Sequence, residues 1–247
     1  MWDISELNLN ICTDAAASKG TTAAMDAYNR LASKMMVQKE KEGIRSFSFS
    51  GCGPGVGTTT VAYNTAIAIA NAGRKTLLVD GDLRKGLQQI HKTQKISTGL
   101  SDYLEKDSPP FGQKRRRIEP EGQADENSRL VRKTNVDSLD YIPCGKLSRD
   151  PAALFHSDVF DAFLADVVAH YDFVLFDVPS LNSAAEAEAL ARKTGTLILV
   201  AGYMRTQKKE IVAAKEEIRR LQVNLTGILL NAVPLKKYLG KSGKKKS

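Results

Sequence analysis

A glycine-rich loop between a predicted strand and a predicted helix constrains the fold more than any other feature of this sequence. Residues 44–50 alternate between apolar and polar side chains, which is typical of a strand, and residues 51–57 contain four glycines. Residues 59–72 are rich in alanine and predict a helix, and the short apolar run at residues 76–80 predicts a second strand. This succession is a βαβ unit, which implies a parallel sheet with helices on both of its faces.

The same alternation of strands and helices continues along the chain. We therefore predict the α/β fold class, with a doubly wound, mainly parallel sheet that carries helices on both faces. Further strands are expected at residues 139–143, 173–177, 196–200 and 225–230, and further helices at residues 22–42, 153–170, 183–193 and 208–221.

The domain organisation follows from length and local composition. A chain of 247 residues with 42% hydrophobic content suits one α/β domain, which we place at residues 22–235. Residues 1–21 are polar and small and predict a flexible arm. Residues 105–135 contain three prolines and many charged side chains, which predicts an exposed insertion. Residues 236–247 predict a basic, disordered tail.

The positive charge of the chain is concentrated rather than evenly spread. The net charge is +8, and residues 236–247 contain six lysines and no acidic residue. This pattern is typical of a solvated tail, and it also suits attraction to an anionic membrane surface or an acidic partner. We expect no specific nucleic-acid binding, because no recognition motif accompanies the charge.

The sequence has no pattern of a signal peptide, a membrane span or a zinc site. No run of 18 apolar residues occurs, and the acidic N-terminus has no apolar core. The three cysteines, Cys12, Cys52 and Cys144, are far apart and form no CxxC pair. These features predict a cytoplasmic protein in a reducing compartment.

Residues 53–60, Gly-Pro-Gly-Val-Gly-Thr-Thr-Thr, have the composition of a phosphate-binding loop. Glycines permit the backbone turns that aim several N–H groups at one anion, with a helix N-terminus behind them. Such a loop has a lysine after its last glycine, but this chain has Thr58. A tight glycine turn followed by a threonine helix cap is the alternative explanation. The candidate nucleotide-binding residues of this loop are Gly53, Gly55, Gly57, Thr58, Thr59 and Thr60.

Two other segments end an apolar run with aspartate. Asp80 and Asp82 follow residues 77–79, and Asp177 follows residues 173–176. Ligands of parallel sheets bind at the carboxyl ends of strands, and the pattern around Asp177 is typical of the aspartate that holds Mg²⁺ in phosphate-loop proteins. A surface turn is the alternative for Asp80 and Asp82.

The order of these motifs and their neighbours resembles the cytoplasmic domain of the bacterial tyrosine kinases (BY-kinases) of capsular and exopolysaccharide biosynthesis, within the MinD/ParA group of P-loop ATPases. The resemblance covers roughly residues 22–235. It rests on SGCGPGVGTTTVAYNTA at 50–66, LLVDGDLRKG at 77–86, GLSDYL at 99–104, IPCGKLSRDPAALFHS at 142–157, YDFVLFDVPS at 171–180 and GILLN at 227–231.

The resemblance implies an ATP or ADP site with Mg²⁺ and a tyrosine kinase function. Asp80 and Asp82 would be catalytic, and Asn231 would lie beside the adenine. Thr59, Asp80 and Asp177 would hold Mg²⁺. The family works with a transmembrane protein that regulates polysaccharide chain length, which implies a location at the inner face of the cell membrane.

This chain departs from the family pattern where phosphate is bound. Thr58 replaces the lysine that contacts the β and γ phosphates, so nucleotide binding is expected to be weak or lost. Arg84 or Lys85 are candidates to supply a cation in its place.

The chain also departs where the family assembles and where it is phosphorylated. A family motif for subunit contact, Glu-x-x-Arg-x-x-Arg, corresponds here to Asp26, Asn29 and Ala32. Tyr238 stands alone in place of a tyrosine cluster and is the one possible phosphosite of that region. Glu186 stands where the family usually has aspartate, which is a milder change.

Three functional hypotheses follow. The first is a pseudokinase that regulates polysaccharide synthesis together with a membrane partner. The second is an active, atypical protein-tyrosine kinase that borrows a cation. The third is a MinD/ParA-like ATPase switch that uses the basic tail. The three departures concern phosphate chemistry, assembly and substrate separately, and this favours the pseudokinase.

Overall fold

A parallel sheet forms the centre of the computed structural model, which describes residues 18–84, 98–106, 130–181 and 184–233, with side chains from residue 24 onward except at residue 106. The strands are β1 (Ser46–Gly51), β2 (Thr76–Asp80), β3 (Arg132–Lys133), β4 (Leu139–Ile142), β5 (Phe173–Val178), β6 (Thr196–Gly202) and β7 (Asn224–Asn231). Their order is β3-β4-β2-β5-β1-β6-β7, and only the β3–β4 pair among these described strands is antiparallel. The predicted fold class is therefore confirmed.

Helices cover both faces of this sheet. They are α1 (Ser18–Glu42), α2 (Thr58–Asn71), α3 (Leu100–Lys106), α4 (Pro151–His156), α5 (Asp158–His170), α6 (Ala185–Thr194) and α7 (Lys208–Arg220). Residues from α1 and α2 pack on one face of the sheet, and residues from α3 to α7 pack on the other. In the described part of the chain, no helix has both the length and the apolar character needed to cross a bilayer.

The central strands alternate between the two cores, although nearly all of their side chains are apolar. On β2, Leu77 and Val79 face the core of α3 to α7, whereas Leu78 faces the core of α1 and α2. On β5, Val174 faces the core of α3 to α7 and Leu175 faces the core of α1 and α2. A strand that is buried on both faces reads as a continuous apolar run, and this is why the sequence located β2 and β5 so closely.

The single helix predicted at residues 153–170 is wrong, because two helices meet at Ser157. This residue has an extended backbone (φ −73°, ψ 151°) that ends α4, and its hydroxyl accepts a hydrogen bond from the Phe160 amide at 3.2 Å, which caps α5. Asp150 caps α4 in the same way through the Ala153 amide. The apolar spacing continues through the break, so periodicity alone did not reveal it.

The segment predicted as an exposed insertion, residues 105–135, differs from that prediction at its end. Val131 and Arg132 are buried, and β3 pairs with β4 along the edge of the sheet. Residues 107–129 lie outside the described residues, as do residues 1–17 of the arm, the whole tail at 236–247 with Tyr238, and Lys85.

The positions of the family's subunit-contact motif lie in α1, and they do not share one environment. Asp26 and Asn29 are exposed, but Ala32 is only 2% exposed and packs with Met35 in the core over α2. A long charged side chain at residue 32 would therefore have to leave this core.

A buried aspartate fastens α3 to the loop that follows β4. Asp102 is 4% exposed and accepts hydrogen bonds from the Gly99 amide at 3.0 Å and the Lys146 amide at 3.2 Å. Ser101 adds a bond from its hydroxyl to the Lys146 carbonyl at 2.7 Å. These contacts set the course of residues 143–146, which border the carboxyl end of β2.

We predict that Asp102→Ala lowers the free energy of unfolding by about 3 kcal/mol, because it leaves two backbone amides without their acceptor. Chemical denaturation with urea measures this loss. The matched control is Asp161→Ala, since Asp161 pairs with Lys193 and its side chain is 49% exposed. That pair is expected to contribute less than about 1 kcal/mol, so equal losses in the two variants would contradict the role given to Asp102.

Candidate functional site

The glycine-rich loop leaves the carboxyl end of β1 at the middle of the sheet. β1 lies between β5 and β6, and the Cys52 amide donates a hydrogen bond to the Val200 carbonyl of β6 at 2.8 Å. Gly55 and Gly57 have φ values of +70° and +85°, in the left-handed region that favours glycine. α2 begins at Thr58, so the loop ends at the N-terminus of a buried helix.

Two of the glycines are required by close contacts. A Cβ on Gly51 would lie 2.8 Å from both the Gly53 carbonyl oxygen and Thr58 Oγ1. A Cβ on Gly57 would lie 2.3 Å from Asn231 Nδ2. The loop is therefore a tight backbone cradle in front of a helix N-terminus, which is the geometry that binds phosphate.

Asn231, at the end of β7, holds the loop in place. Its Nδ2 donates a hydrogen bond to the Val56 carbonyl at 2.9 Å. The resemblance implies that Asn231 contacts adenine, and this stays a prediction. The hydrogen bond to Val56 is a structural role of the same side chain.

We predict that Gly57→Ala destabilises the protein more than Gly55→Ala does. Both substitutions place a Cβ at positive φ, which costs about 1–2 kcal/mol, but only residue 57 would also collide with Asn231, since Gly55 faces open space. Urea denaturation should show an excess loss of about 1 kcal/mol, the value of the hydrogen bond to Val56.

Asn231→Ala provides the second arm of this test. The excess cost of Gly57→Ala should disappear in that background, because the colliding amide is gone. An excess that persists would show that the clash with Asn231 is not its cause.

The three predicted carboxylates meet at the same edge of the sheet. Asp80 and Asp177 are paired residues of the neighbouring strands β2 and β5, and the Asp82 amide donates a hydrogen bond to Asp80 Oδ1 at 3.1 Å. Each is at most 7% exposed, so the surface-turn alternative for Asp80 and Asp82 is wrong. β2 ends at Asp80, so the alternation of a strand does not decide the direction of the Asp82 side chain.

The donor set fits Mg²⁺ that arrives with a nucleotide. Among the described residues, no group of three or more His, Cys, Asp or Glu could hold a metal ion by itself. Mg²⁺ commonly uses one or two carboxylates together with phosphate and water oxygens. Asp80, Asp177 and the partly buried Thr59 would supply the protein oxygens, while Thr60 is exposed.

Three groups close to Asp80, the phenols of Tyr63 and Tyr141 and the thiol of Cys144, are electrically neutral at physiological pH. Burial, and then the charge of Asp80, raises the pKa of the Cys144 thiol well above its usual range. Burial also raises the pKa of Tyr63 and Tyr141, which are in contact with one another and are further affected by Asp80. No positive charge is contributed by these three neighbours.

Arg84 follows the second aspartate but is directed to another carboxylate. Its Nη2 donates a hydrogen bond to Glu186 Oε2 at 2.7 Å, and Nε contacts Oε1 of the same group. Glu186 is 1% exposed in the first turn of α6, so this ion pair neutralises a buried charge. Arg84 is therefore a poor source of the cation that the loop lacks.

Two residues of the β6–α7 region border the loop and were missed in the sequence. Arg205 Nη1 donates a hydrogen bond to the Gly55 carbonyl at 3.5 Å. Glu210 Oε1 lies 3.2 Å from the position of a Cβ on Gly53. The signal that could have found them is strand order, because the turn after β6 must lie beside the loop after β1 once the two strands are neighbours.

Glu210 changes the electrostatics of the loop. Burial raises the pKa of Cys52 to about 11, and the negative charge of Glu210 is the second cause. Glu210 also accepts a hydrogen bond from the Gln207 amide at 2.6 Å, which completes the cap of α7. The loop therefore has an acidic neighbour on the side of Gly53.

We predict that Glu210→Gln lowers the pKa of Cys52 below its value of about 11, because it removes one of the two causes of the elevation. The measurement is the pH dependence of Cys52 alkylation by iodoacetamide, resolved by peptide mass spectrometry. Glu216→Gln, on an exposed part of the same helix, is the control and should leave the profile unchanged. Identical profiles for both variants would contradict the assignment.

Comparison with known proteins places this chain in a family. A family profile described as an AAA domain (AAA_31) matches residues 45–225. The tyrosine-protein kinase CpsD of Streptococcus pneumoniae serotype 4 is 28% identical over 213 residues, which cover 86% of each chain. The resemblance to the bacterial tyrosine kinases is thus confirmed.

Solved structures agree with this result. The kinase domain of the Escherichia coli tyrosine kinase ETK superposes with a TM-score of 0.70 at 26% identity, over 85% of this chain and 76% of that one. MinD from Pyrococcus horikoshii, solved with Mg-ADP, gives a TM-score of 0.55 at 20% identity over 79% and 76% of the two chains, which shows a shared fold alone.

Proposed function

We propose that this chain, which belongs to the AAA domain family and is related to the bacterial tyrosine kinases of the MinD/ParA-type P-loop superfamily, is a pseudokinase that regulates capsular or exopolysaccharide synthesis. The observation that carries the proposal is Thr58, which follows the last glycine of an otherwise well-formed phosphate loop. Nucleotide binding is retained in weakened form, and efficient phosphoryl transfer is lost.

Because Thr58 replaces the lysine, the loop lacks a positive charge next to the phosphate that would be transferred. Phosphoryl transfer relies on positive groups that stabilise the charge of the transferring phosphate. The loss of one such donor costs about 10²–10³ in rate in comparable electrostatic sites. The hydroxyl of Thr58 is neutral and approaches the backbone at Gly51, so it does not supply that charge.

The remaining groups of the site support binding rather than chemistry. The glycine cradle and the three buried carboxylates suit a nucleotide with Mg²⁺. Arg84, which the sequence offered as a substitute cation, is paired with Glu186. A site of this kind can respond to nucleotide without turning it over.

A membrane partner supplies the context for regulation. Relatives include a putative tyrosine-protein kinase in the cps region of Klebsiella pneumoniae. We infer that this chain acts with a transmembrane regulator of polysaccharide chain length at the inner face of the membrane. The six lysines of residues 236–247 support attraction to anionic lipid there. A homo-oligomer of this chain would need a contact other than the family's two-arginine motif.

An active, atypical kinase is the second candidate, and the carboxylates favour it. Asp80, Asp82 and Asp177 are all present, buried and gathered at one edge of the sheet. If transfer occurs, Asp80→Ala should abolish it, and phosphate should be found on Tyr238 or on a partner protein.

We predict that Thr58→Lys increases the affinity for Mg-ADP by about tenfold or more, because it adds a charge-assisted contact to phosphate. Isothermal titration calorimetry measures the affinity, and a phosphotyrosine assay with Mg-ATP measures transfer. Asn71→Lys makes the same change of charge at the exposed far end of α2 and should have little effect on either.

Two results would contradict the pseudokinase. One is phosphoryl transfer by the unmodified protein at a rate that Asp80→Ala abolishes. The other is an equal gain from Thr58→Lys and Asn71→Lys, which would show that the net charge of the protein, and not the residue after the last glycine, limits nucleotide affinity.

A further inference from the structure

We infer that Arg205 serves as a substitute cation for the phosphates of a bound nucleotide, in partial replacement of the lysine that Thr58 displaces. The inference rests on the proposed nucleotide-binding pseudokinase and names the residue on which its remaining affinity depends. The ligand class is a nucleoside diphosphate or triphosphate.

The turn that carries Arg205 has a fixed backbone. Gly202 donates its amide to Thr206 Oγ1 at 2.8 Å, and its carbonyl accepts the Arg205 and Thr206 amides at 3.1 and 3.0 Å. The Tyr203 amide is bonded to the carbonyl of Asn231 at 2.8 Å, and Asn231 is the residue that holds the loop. The backbone of Arg205 is therefore anchored to the same residue as the phosphate loop.

The side chain of Arg205 is placed to approach a phosphate. It is exposed, and its Nη1 lies 3.5 Å from the Gly55 carbonyl of the loop. A guanidinium has five N–H donors, so one bond to Gly55 leaves several for an anion. Arginine also suits phosphate because its planar donors can bind two oxygens at once.

The other charged residues near the loop do not supply the positive charge that a phosphate needs, so nucleotide affinity depends more strongly on Arg205. Glu210 lies beside Gly53 and repels an anionic ligand. Arg84 is engaged by the buried Glu186. Lys208 and Lys209 are exposed at the start of α7, and they are the neighbouring cations against which Arg205 has to be compared.

The position of Arg205 suits a role in nucleotide binding but not in phosphoryl transfer. It contacts the loop at a carbonyl, on the strand β6 side, whereas Thr58 stands at the first residue of α2. A cation at this position makes the electrostatic free energy of nucleotide binding more favourable, because it attracts the negative charge of the phosphates. It does not occupy the place of the lysine, which agrees with a protein that binds nucleotide and does not turn it over.

A double-mutant cycle tests this inference. Mg-ADP affinity is measured by isothermal titration calorimetry for the unmodified protein, Arg205→Ala, Thr58→Lys and the double variant. Arg205→Ala should weaken binding by about tenfold or more in the unmodified protein, since it removes a charge-assisted contact. In the Thr58→Lys background the same change should cost less than about twofold, because the lysine supplies the charge.

Two further variants are matched controls. Lys209→Ala removes one positive charge from the same region and should leave the affinity within about twofold. Arg205→Lys keeps the charge and should restore part of the binding that Arg205→Ala loses. Thermal unfolding without nucleotide shows whether each variant is folded before its affinity is compared.

Three outcomes would overturn the inference. The first is that the unmodified protein does not bind Mg-ADP at millimolar concentration, and the second is that Arg205→Ala binds Mg-ADP as tightly as the unmodified protein. The third is that Arg205→Ala lowers the affinity for Mg-ADP equally with and without the Thr58→Lys substitution. Phosphoryl transfer by the unmodified protein would overturn the pseudokinase instead, and it would leave the binding role of Arg205 standing.

Discussion

The position of β1 between β5 and β6 is the constraint on which the site depends. A parallel sheet brings the carboxyl ends of neighbouring strands to one edge, so whatever follows each strand meets there. β5 ends near Asp177, β2 beyond it ends at Asp80, and β6 on the other side leads to Arg205. The loop after β1 therefore has acidic residues on the β5 side, and both Arg205 and Glu210 on the β6 side.

This edge has an unusual balance of charge for a site that would bind an anion. Asp80, Asp82 and Asp177 are buried, and Glu210 faces the loop from α7. In a phosphate-loop protein the lysine after the last glycine offsets such acids, and here Thr58 offers only a hydroxyl. The helix N-terminus and the loop amides supply partial positive charge, but they do not replace a full cation. Weak binding is the expected result.

The sequence predicted the parts of the structure in which local pattern and tertiary environment agree. β2 and β5 were located closely because both of their faces are buried, and Asp80, Asp82 and Asp177 came with them. The break at Ser157 was missed because apolar spacing continues through it. Val131 and Arg132 were read as exposed because charged residues surround them, although pairing of β3 with β4 buries both.

Arg205 was beyond the reach of any local pattern, since 150 residues separate it from the carbonyl that it contacts. The buried carboxylates also support the proposal that the site still binds nucleotide, independently of Arg205. Several acids gathered in one buried place are costly unless a cation or hydrogen bonds accompany them. A bound Mg²⁺ would offset part of that cost at Asp80 and Asp177. That this chain carries the acids, a formed glycine cradle and an arginine beside it argues for a site that still binds, although the residue most needed for transfer is absent.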